Sequence, residues 1–224
     1  MAKTLSNKID NKDKRTLKTE PKLKVDLNEE QREVVRLFYE YDVNFILGDF
    51  GSGKSLAAVH MALTSFRKKQ FNKIWITRPM LKNNLAALPG TMEEKMAPYT
   101  FPIVQNLEVC QGKEITDKMC KEGLISIMPV DVAKGVTFID SVVIVDEFQD
   151  MTYQDFRTIL TRLGKNSKMI FCGSTQQIDK QVGKNSCIYD ILKLEQSNLV
   201  GFSTLTANHR NEVLTAIIEY LENE

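Results

Sequence analysis

Eight consecutive residues, Gly48-Asp49-Phe50-Gly51-Ser52-Gly53-Lys54-Ser55, satisfy the spacing G-x-x-x-x-G-K-[ST] at every fixed position. The chemistry this spacing serves is the holding of phosphate. Glycines at 48, 51 and 53 let backbone N–H groups turn inward with no Cβ in the way, and a helix starting there presents its positive end to an anion. The Lys54 ammonium is long enough to reach the β and γ phosphates of a nucleotide, and Ser55 offers a hydroxyl of the kind that ligates Mg²⁺. Leu56, the next residue, is counted with them in the nucleotide-binding stretch. A second group closes the apolar run Val142-Val143-Ile144-Val145 with Asp146-Glu147. Such a strand delivers two carboxylates to one edge of a sheet, where Asp146 fits the magnesium acid and Glu147 fits the group that orients or deprotonates an attacking water. Alone, an acidic pair after a strand caps a helix more often than it catalyses. The phosphate loop in the same chain is what gives the pair its meaning.

These side chains meet only if the intervening chain places them. Asn44-Phe45-Ile46-Leu47 is a brief apolar run that stops at Gly48, and Leu56, Ala57, Ala58, Met61, Ala62, Leu63 and Phe66 then resume at helical spacing, so the order is strand, glycine loop, helix. An amphipathic helix starting at Asn28 is expected before that strand, from Val34, Val35, Leu37, Phe38 and Tyr41. Short apolar runs at 73–77, 125–128, 142–145, 169–172 and 200–205 read as buried parallel strands. Helical segments separate most of them, for example 153–163, which makes right-handed crossovers in a three-layer α/β sandwich the natural topology. Residues 78–123 break this rhythm, being long, punctuated by Pro79, Pro89, Pro98 and Pro102, and patched with short helical stretches. They are expected to be a helical insertion on the core.

Composition agrees with one such domain. The chain has 224 residues, 42% hydrophobic and 26% charged, which excludes a disordered, collagen-like or coiled-coil chain. No apolar run approaches the about 18 residues of a membrane span, and Met1-Ala2-Lys3-Thr4 opens no secretory h-region. The expectation is a cytoplasmic protein without membrane contact. Cys110, Cys120, Cys172 and Cys187 form no C-x-x-C pair and are expected to be reduced. Residues 1–24 carry eight Lys or Arg against three Asp or Glu, a basic stretch with too few large apolar residues to fold, read as a flexible tail.

Asp146-Glu147-Phe148-Gln149-Asp150 is the D-E-x-Q form of the Walker B motif found in superfamily 1 helicases and in PhoH-like ATPases. From about residue 25 onward the chain resembles the PhoH-like family in particular. Arg78-Pro79 after the second strand, Leu88-Pro89-Gly90 and Glu94-Lys95-Met96-Ala97-Pro98-Tyr99 in the insertion, and Thr161-Arg162-Leu163-Gly164 with Ser167-Lys168-Met169 all follow its pattern. Arg210 to Glu222 resembles the family's closing helix, with Asn211 and Val213 departing from it. The resemblance implies a RecA-like P-loop NTPase with a mainly parallel sheet over residues 25–224, binding ATP with Mg²⁺ and hydrolysing it. It also implies roles for three more residues. Gln31, after Leu27-Asn28, resembles the glutamine that recognises the adenine edge. Gln177, in Gly173-Ser174-Thr175-Gln176-Gln177, resembles the glutamine of the family's G-D-x-T-Q loop that senses the γ-phosphate or the attacking water, although Ser174 replaces the aspartate. Arg210, in Leu205-Thr206-Ala207-Asn208-His209-Arg210, resembles the arginine that contacts the γ-phosphate.

The implied partners are RNA or single-stranded DNA, with Lys82, Lys95, Lys113, Lys118, Lys121 and Lys134 near Tyr99 and Phe101 as the candidate surface. One RecA-like domain also leaves a two-domain helicase cleft incomplete, so a homo-oligomeric ring, such as a hexamer, is expected. Arg78 and Arg162 are then rivals for reaching a neighbour's nucleotide, set against plain salt bridging. Two other functions compete. A nucleotide-gated binding module would bind ATP with little turnover, and a small-molecule kinase would share the phosphate loop but needs an arginine-rich lid of which the sequence has no pattern.

Overall fold

Asn28 starts the first helix with a reciprocal cap. Its Oδ1 accepts from the Gln31 N–H at 2.8 Å, and Gln31 Oε1 accepts from the Asn28 N–H at 3.1 Å, which satisfies two backbone donors that helix geometry leaves orphaned. In this computed structural model, which describes residues 23–80, 92–206 and Tyr220, helix α1 (Glu29–Glu40) then turns Val34 and Phe38 to the core. The order continues β1 (Val43–Gly48), α2 (Lys54–Arg67), β2 (Lys73–Arg78), α3 (Met92–Gln111), α4 (Lys113–Lys121), β3 (Ile125–Pro129), the single turn α5 (Val130–Ala133), β4 (Ser141–Asp146), α6 (Tyr153–Leu160), β5 (Lys168–Gly173), the single turn α7 (Ile188–Ile191) and β6 (Gly201–Leu205). Each of the six apolar runs forms a strand.

The strands make one sheet in the order β3-β2-β4-β5-β1-β6, and every pair is parallel. Both faces are covered, which is why the strands are apolar almost throughout rather than alternating. Ile46, Ile74, Ile76, Val142, Ile144, Ile170 and Cys172 pack beneath α1 to α4, while Phe45, Leu47, Val143, Val145, Met169 and Phe171 pack against α5, α6 and α7. This is the three-layer α/β sandwich expected. β1 leads through α2 over one face toward β2, and β5 leads through α7 over the other toward β6. Crevices outside the carboxyl ends of such strands, where connections diverge, are where open parallel sheets bind ligands.

Two elements differ from the sequence reading. The insertion contains a continuous 20-residue helix that runs through both Pro98 and Pro102. The two prolines stand four apart on its solvent side, both exposed, so the carbonyls they deprive of a donor face water, while Ile103, Leu107 and Cys110 hold the other side to the core. Helix α6 stops at Leu160 rather than continuing to 163, because Phe138 and Leu163 pair as a parallel bridge. At the start of the described chain Leu23 and Val25 rest on the core, and the Lys24 N–H donates to Cys110 O at 3.0 Å. The four cysteines are free thiols. Among the described residues no helix is long and apolar enough to cross a membrane.

Candidate nucleotide-binding site

The carboxyl ends of four neighbouring strands, β2, β4, β5 and β1, converge on one crevice. β1 ends at Gly48 with φ +151°, and a Cβ there would lie 2.5 Å from Leu205 O and 2.7 Å from Ser52 Oγ, so only glycine fits between β6 and the loop. Gly53, at φ +83°, is the N-cap of α2 and has no side chain with which to cap it. The first-turn N–H groups of a 14-residue helix are thereby left for an anion. Ser52 Oγ donates to Asp49 O at 2.9 Å and braces the loop. Lys54 lies folded over it, its Nζ donating to Gly48 O at 2.7 Å and Asp49 O at 2.9 Å. Phe50 sits at the tip, half exposed.

The alternation of β4 decides where its acid points. Asp146 shares the parity of Val142 and Ile144, so it faces the α2 side of the sheet, and its Oδ1 accepts from Ser55 Oγ at 2.8 Å. The residue is only 5% exposed. Burial, and then the charge of Glu147, push its pKa up to about 6, against the pull of Ser55, Arg78 and Lys54. A buried carboxylate held by a hydroxyl, both hard oxygen donors, suits Mg²⁺, which typically takes one or two protein oxygens and completes its shell with phosphate and water.

Glu147 follows at φ +53°, a left-handed backbone uncommon outside glycine, asparagine and aspartate. The turn is held by the next two residues. Phe148 is fully buried and meets the Phe45 and Phe171 rings edge-on, with centroids 5.7 and 5.8 Å away. Gln149, 1% exposed, is the hub. Its Nε2 donates to Glu147 Oε2 at 2.6 Å and to Gln177 O at 3.3 Å, and its Oε1 accepts from the Ser174 N–H at 3.2 Å. A Cβ on Gly173 would strike both Gln149 Oε1 and the Phe148 ring at 2.7 Å, so the close approach of β5 to this amide depends on glycine. One side chain therefore ties the carboxylate after β4 to the loop after β5. The motif spacing by itself assigns Gln149 no role. The signal available was an amide two residues beyond the acid, at the end of a buried strand.

Ser174, where the family pattern has aspartate, is fully buried, and its Oγ accepts from the Gln176 N–H at 3.2 Å. The hydroxyl thus closes a local turn that a carboxylate would close the same way. Arg78, at the end of β2, enters the crevice of its own chain. Its Nη1 lies 4.0 Å from Asp146 Oδ2 and its Nη2 3.8 Å from Glu147 Oε1, while Nη1 also donates to Tyr99 O of α3 at 3.1 Å. Arg162 stands at the opposite edge of the sheet, where its carbonyl accepts from the Phe138 N–H. Gln31 is buried, with its amide oxygen on the α1 cap. Arg210 lies outside the described residues, as do Lys82 and the run Leu88-Pro89-Gly90.

The acids and Arg78 carry a stability prediction. Asp146 is a buried charge only loosely paired, so Asp146→Asn, which can keep the Ser55 hydrogen bond, is expected to stabilise the nucleotide-free protein by about 1 kcal/mol, or about 2–4 °C in Tm at this size. Because the folded-state pKa is raised from 3.8 to about 6, the folded chain holds a proton that the unfolded chain has released between those values. Wild-type stability from this group is present below that window and lost as pH rises through it, so the gap to the Asn variant should widen from pH 4 to above 6. Arg78→Ala should shift Tm the other way by a similar amount, and that loss should shrink in the Asp146→Asn background. Scanning calorimetry of the four proteins tests this, and equal Arg78→Ala losses in both backgrounds would disprove the coupling.

The family described as PhoH-like protein matches residues 25–222. A PhoH-like protein of Bacillus subtilis is 37% identical over 158 residues, covering 70% of this chain and 50% of that protein. One of Mycobacterium tuberculosis is 32% identical over 187 residues, covering 80% of this chain and 53% of that protein. The chain spans about half the length of the curated relatives it matches. Among solved structures, the large terminase of a thermophilic bacteriophage superposes with a TM-score of 0.57 at 8% identity, over 87% of this chain and 50% of that one, a likeness of fold.

Proposed function

Because the chain belongs to the PhoH-like family, we propose that it binds ATP with Mg²⁺ and hydrolyses it to ADP and phosphate, coupling turnover to RNA or single-stranded DNA as a cytoplasmic homo-oligomer. The observation that carries this is the meeting of Ser55 Oγ with Asp146 Oδ1 at 2.8 Å beside the uncapped start of α2, with Glu147 braced next to them. Ser55 and Asp146 would hold Mg²⁺, which would supply positive charge to offset that of the phosphates. The remaining work belongs to the chain. The loop N–H groups of residues 48–55 and the start of α2 bind the phosphates, and Lys54 exchanges its two carbonyl acceptors for phosphate oxygens. Glu147 aligns a water with the γ-phosphorus and takes its proton as the P–O bond to the β-phosphate breaks. Gln177 and Arg210 fill the γ-phosphate roles that the family pattern implies, one as a neutral hydrogen-bonding amide and one as a cation against developing charge.

The test is phosphate release from Mg-ATP by the purified protein, alone and with single-stranded RNA or DNA, together with labelled-ATP binding and native mass. Turnover that rises with a strand and a mass of several chains support the reading. Tight ATP binding with no turnover under any of these conditions would overturn it in favour of the nucleotide-gated binding module.

A further inference from the structure

Turn-forming segments on the α6 and α7 side of the crevice border an open groove of about 980 Å³, lined by residues that have no part in holding nucleotide. We propose that this groove is where a single nucleic-acid strand lies, an inference that rests on the nucleic-acid partner proposed above. Two aromatic rings flank it. Tyr153, the first residue of α6, is 52% exposed, and Tyr189 of α7 is 51% exposed. Tyr153 is not loose, since its ring leans on the buried Phe156 with centroids 6.5 Å apart, so it offers a preset stacking face. The exposed side chains of Gln154, Lys184 and Asn185 line the same groove, two amides that can pair with base edges and one ammonium for a phosphate.

The groove offers a polyanion one cation, Lys184. Asp190 is paired with Lys193 at 2.6 Å, and Asp155 shares Lys134, at 2.6 Å, with Asp131 at 2.8 Å. Lys184 has no acidic partner within 4 Å among the described residues. By contrast Lys113 and Lys134, two of the lysines of the candidate surface expected from sequence, are each engaged by two acids. A groove with two stacking rings, edge-reading amides and one unpaired cation has what a strand needs in order to bind with little sequence preference.

The floor of the groove is also the back of the catalytic hub. Thr152 and Ser186 form an antiparallel bridge, the Cys187 N–H donates to Met151 O at 2.8 Å, and Ser186 Oγ donates to Gln149 O. A strand pressing on this floor therefore acts one residue away from the amide that holds Glu147 and the loop carrying Gln177. Occupancy of the groove should accordingly raise ATP turnover.

The experiment is fluorescence anisotropy with a labelled single-stranded RNA of about 12 nucleotides, read beside basal and RNA-stimulated phosphate release. Tyr153→Ala and Tyr189→Ala should each weaken RNA binding by about tenfold, and together should abolish stimulation while basal turnover stays at the wild-type level. Lys184→Gln, a surface change that spares the fold, should lower the slope of log affinity against log salt by about one. If wild type binds RNA and the double tyrosine variant binds it equally well with full stimulation, the groove is wrong and the nucleic-acid partner survives. If wild type binds no strand at all, both fall together.

Discussion

Glu147→Gln is expected to cut phosphate release from ATP by about 10²–10⁴-fold, the range that a positioned general base supplies, while ATP affinity stays within a few-fold. The substitution is isosteric. Its amide oxygen can still accept from Gln149 Nε2, as Glu147 Oε2 does at 2.6 Å, so the braced turn survives and only the capacity to take a proton is lost. Binding should survive because the phosphate contacts proposed above come from the loop of residues 48–55 and the start of α2, not from this side chain. A second consequence concerns its neighbour. Glu147 is the charge that, after burial itself, raises the Asp146 carboxyl, so its removal should ease the ionisation of Asp146 and leave metal-dependent nucleotide binding no weaker. Single-turnover hydrolysis and equilibrium binding of labelled ATP measure the two parts separately. Turnover within about threefold of wild type would remove Glu147 from the chemistry.

Gln149→Ala should lower turnover by about 10–100-fold with ATP affinity again little changed, because this side chain hydrogen-bonds to the Glu147 carboxylate, the proposed base, and to the loop after β5 but to nothing in the glycine loop. Three hydrogen bonds disappear at a position that is 1% exposed. The Ser174 N–H is left without its acceptor in the interior, so a stability loss of about 1–3 kcal/mol should accompany the kinetic defect. The informative quantity is the split between kcat and KM. A general loosening of the fold would raise KM and lower kcat together, whereas a misplaced Glu147 lowers kcat alone. A variant with normal kcat and only a reduced Tm would show that Gln149 is a packing residue.

How much of this was legible in the sequence varies with the range of the interaction concerned. The glycine loop was legible because it is local: eight contiguous residues between a strand and a helix specify its conformation. The six strands were legible because parallel strands covered on both faces read as unbroken apolar runs. Strand order was not, and the roles of Arg78 and Gln149 depend on it. Arg78 reaches Asp146 and Glu147 because β2 is paired with β4, as in Thr77 beside Val145, and Gln149 reaches Ser174 because β5 is paired with β4 on the other side, as in Asp146 beside Cys172. Neither adjacency is written in spacing along the chain. From sequence Arg78 and Arg162 were equal rivals, yet one lies in the crevice and the other at the far edge of the sheet. The prolines of α3 misled for a different reason. Their cost falls on carbonyls, and whether water can reach those carbonyls depends on which side of the helix is packed. Gln31 shows local and remote logic competing for one residue. The spacing from Asn28 to Gln31 is that of a capping box, and the structure uses the amide oxygen for it.

The left-handed backbone of Glu147 bears on what this chain could become. A non-glycine residue held there costs roughly 1–2 kcal/mol, and glycine or asparagine would occupy the same turn more comfortably. If Glu147 is the base proposed above, that cost persists as long as a lineage depends on splitting a nucleotide, because neither alternative can accept a proton. Once the demand lapses, drift at position 147 runs downhill, toward residues that suit the turn and away from the carboxylate. Among descendants and duplicates of such a chain, the side chain at this single position would then record which had kept the reaction and which had retained only the grip on phosphate.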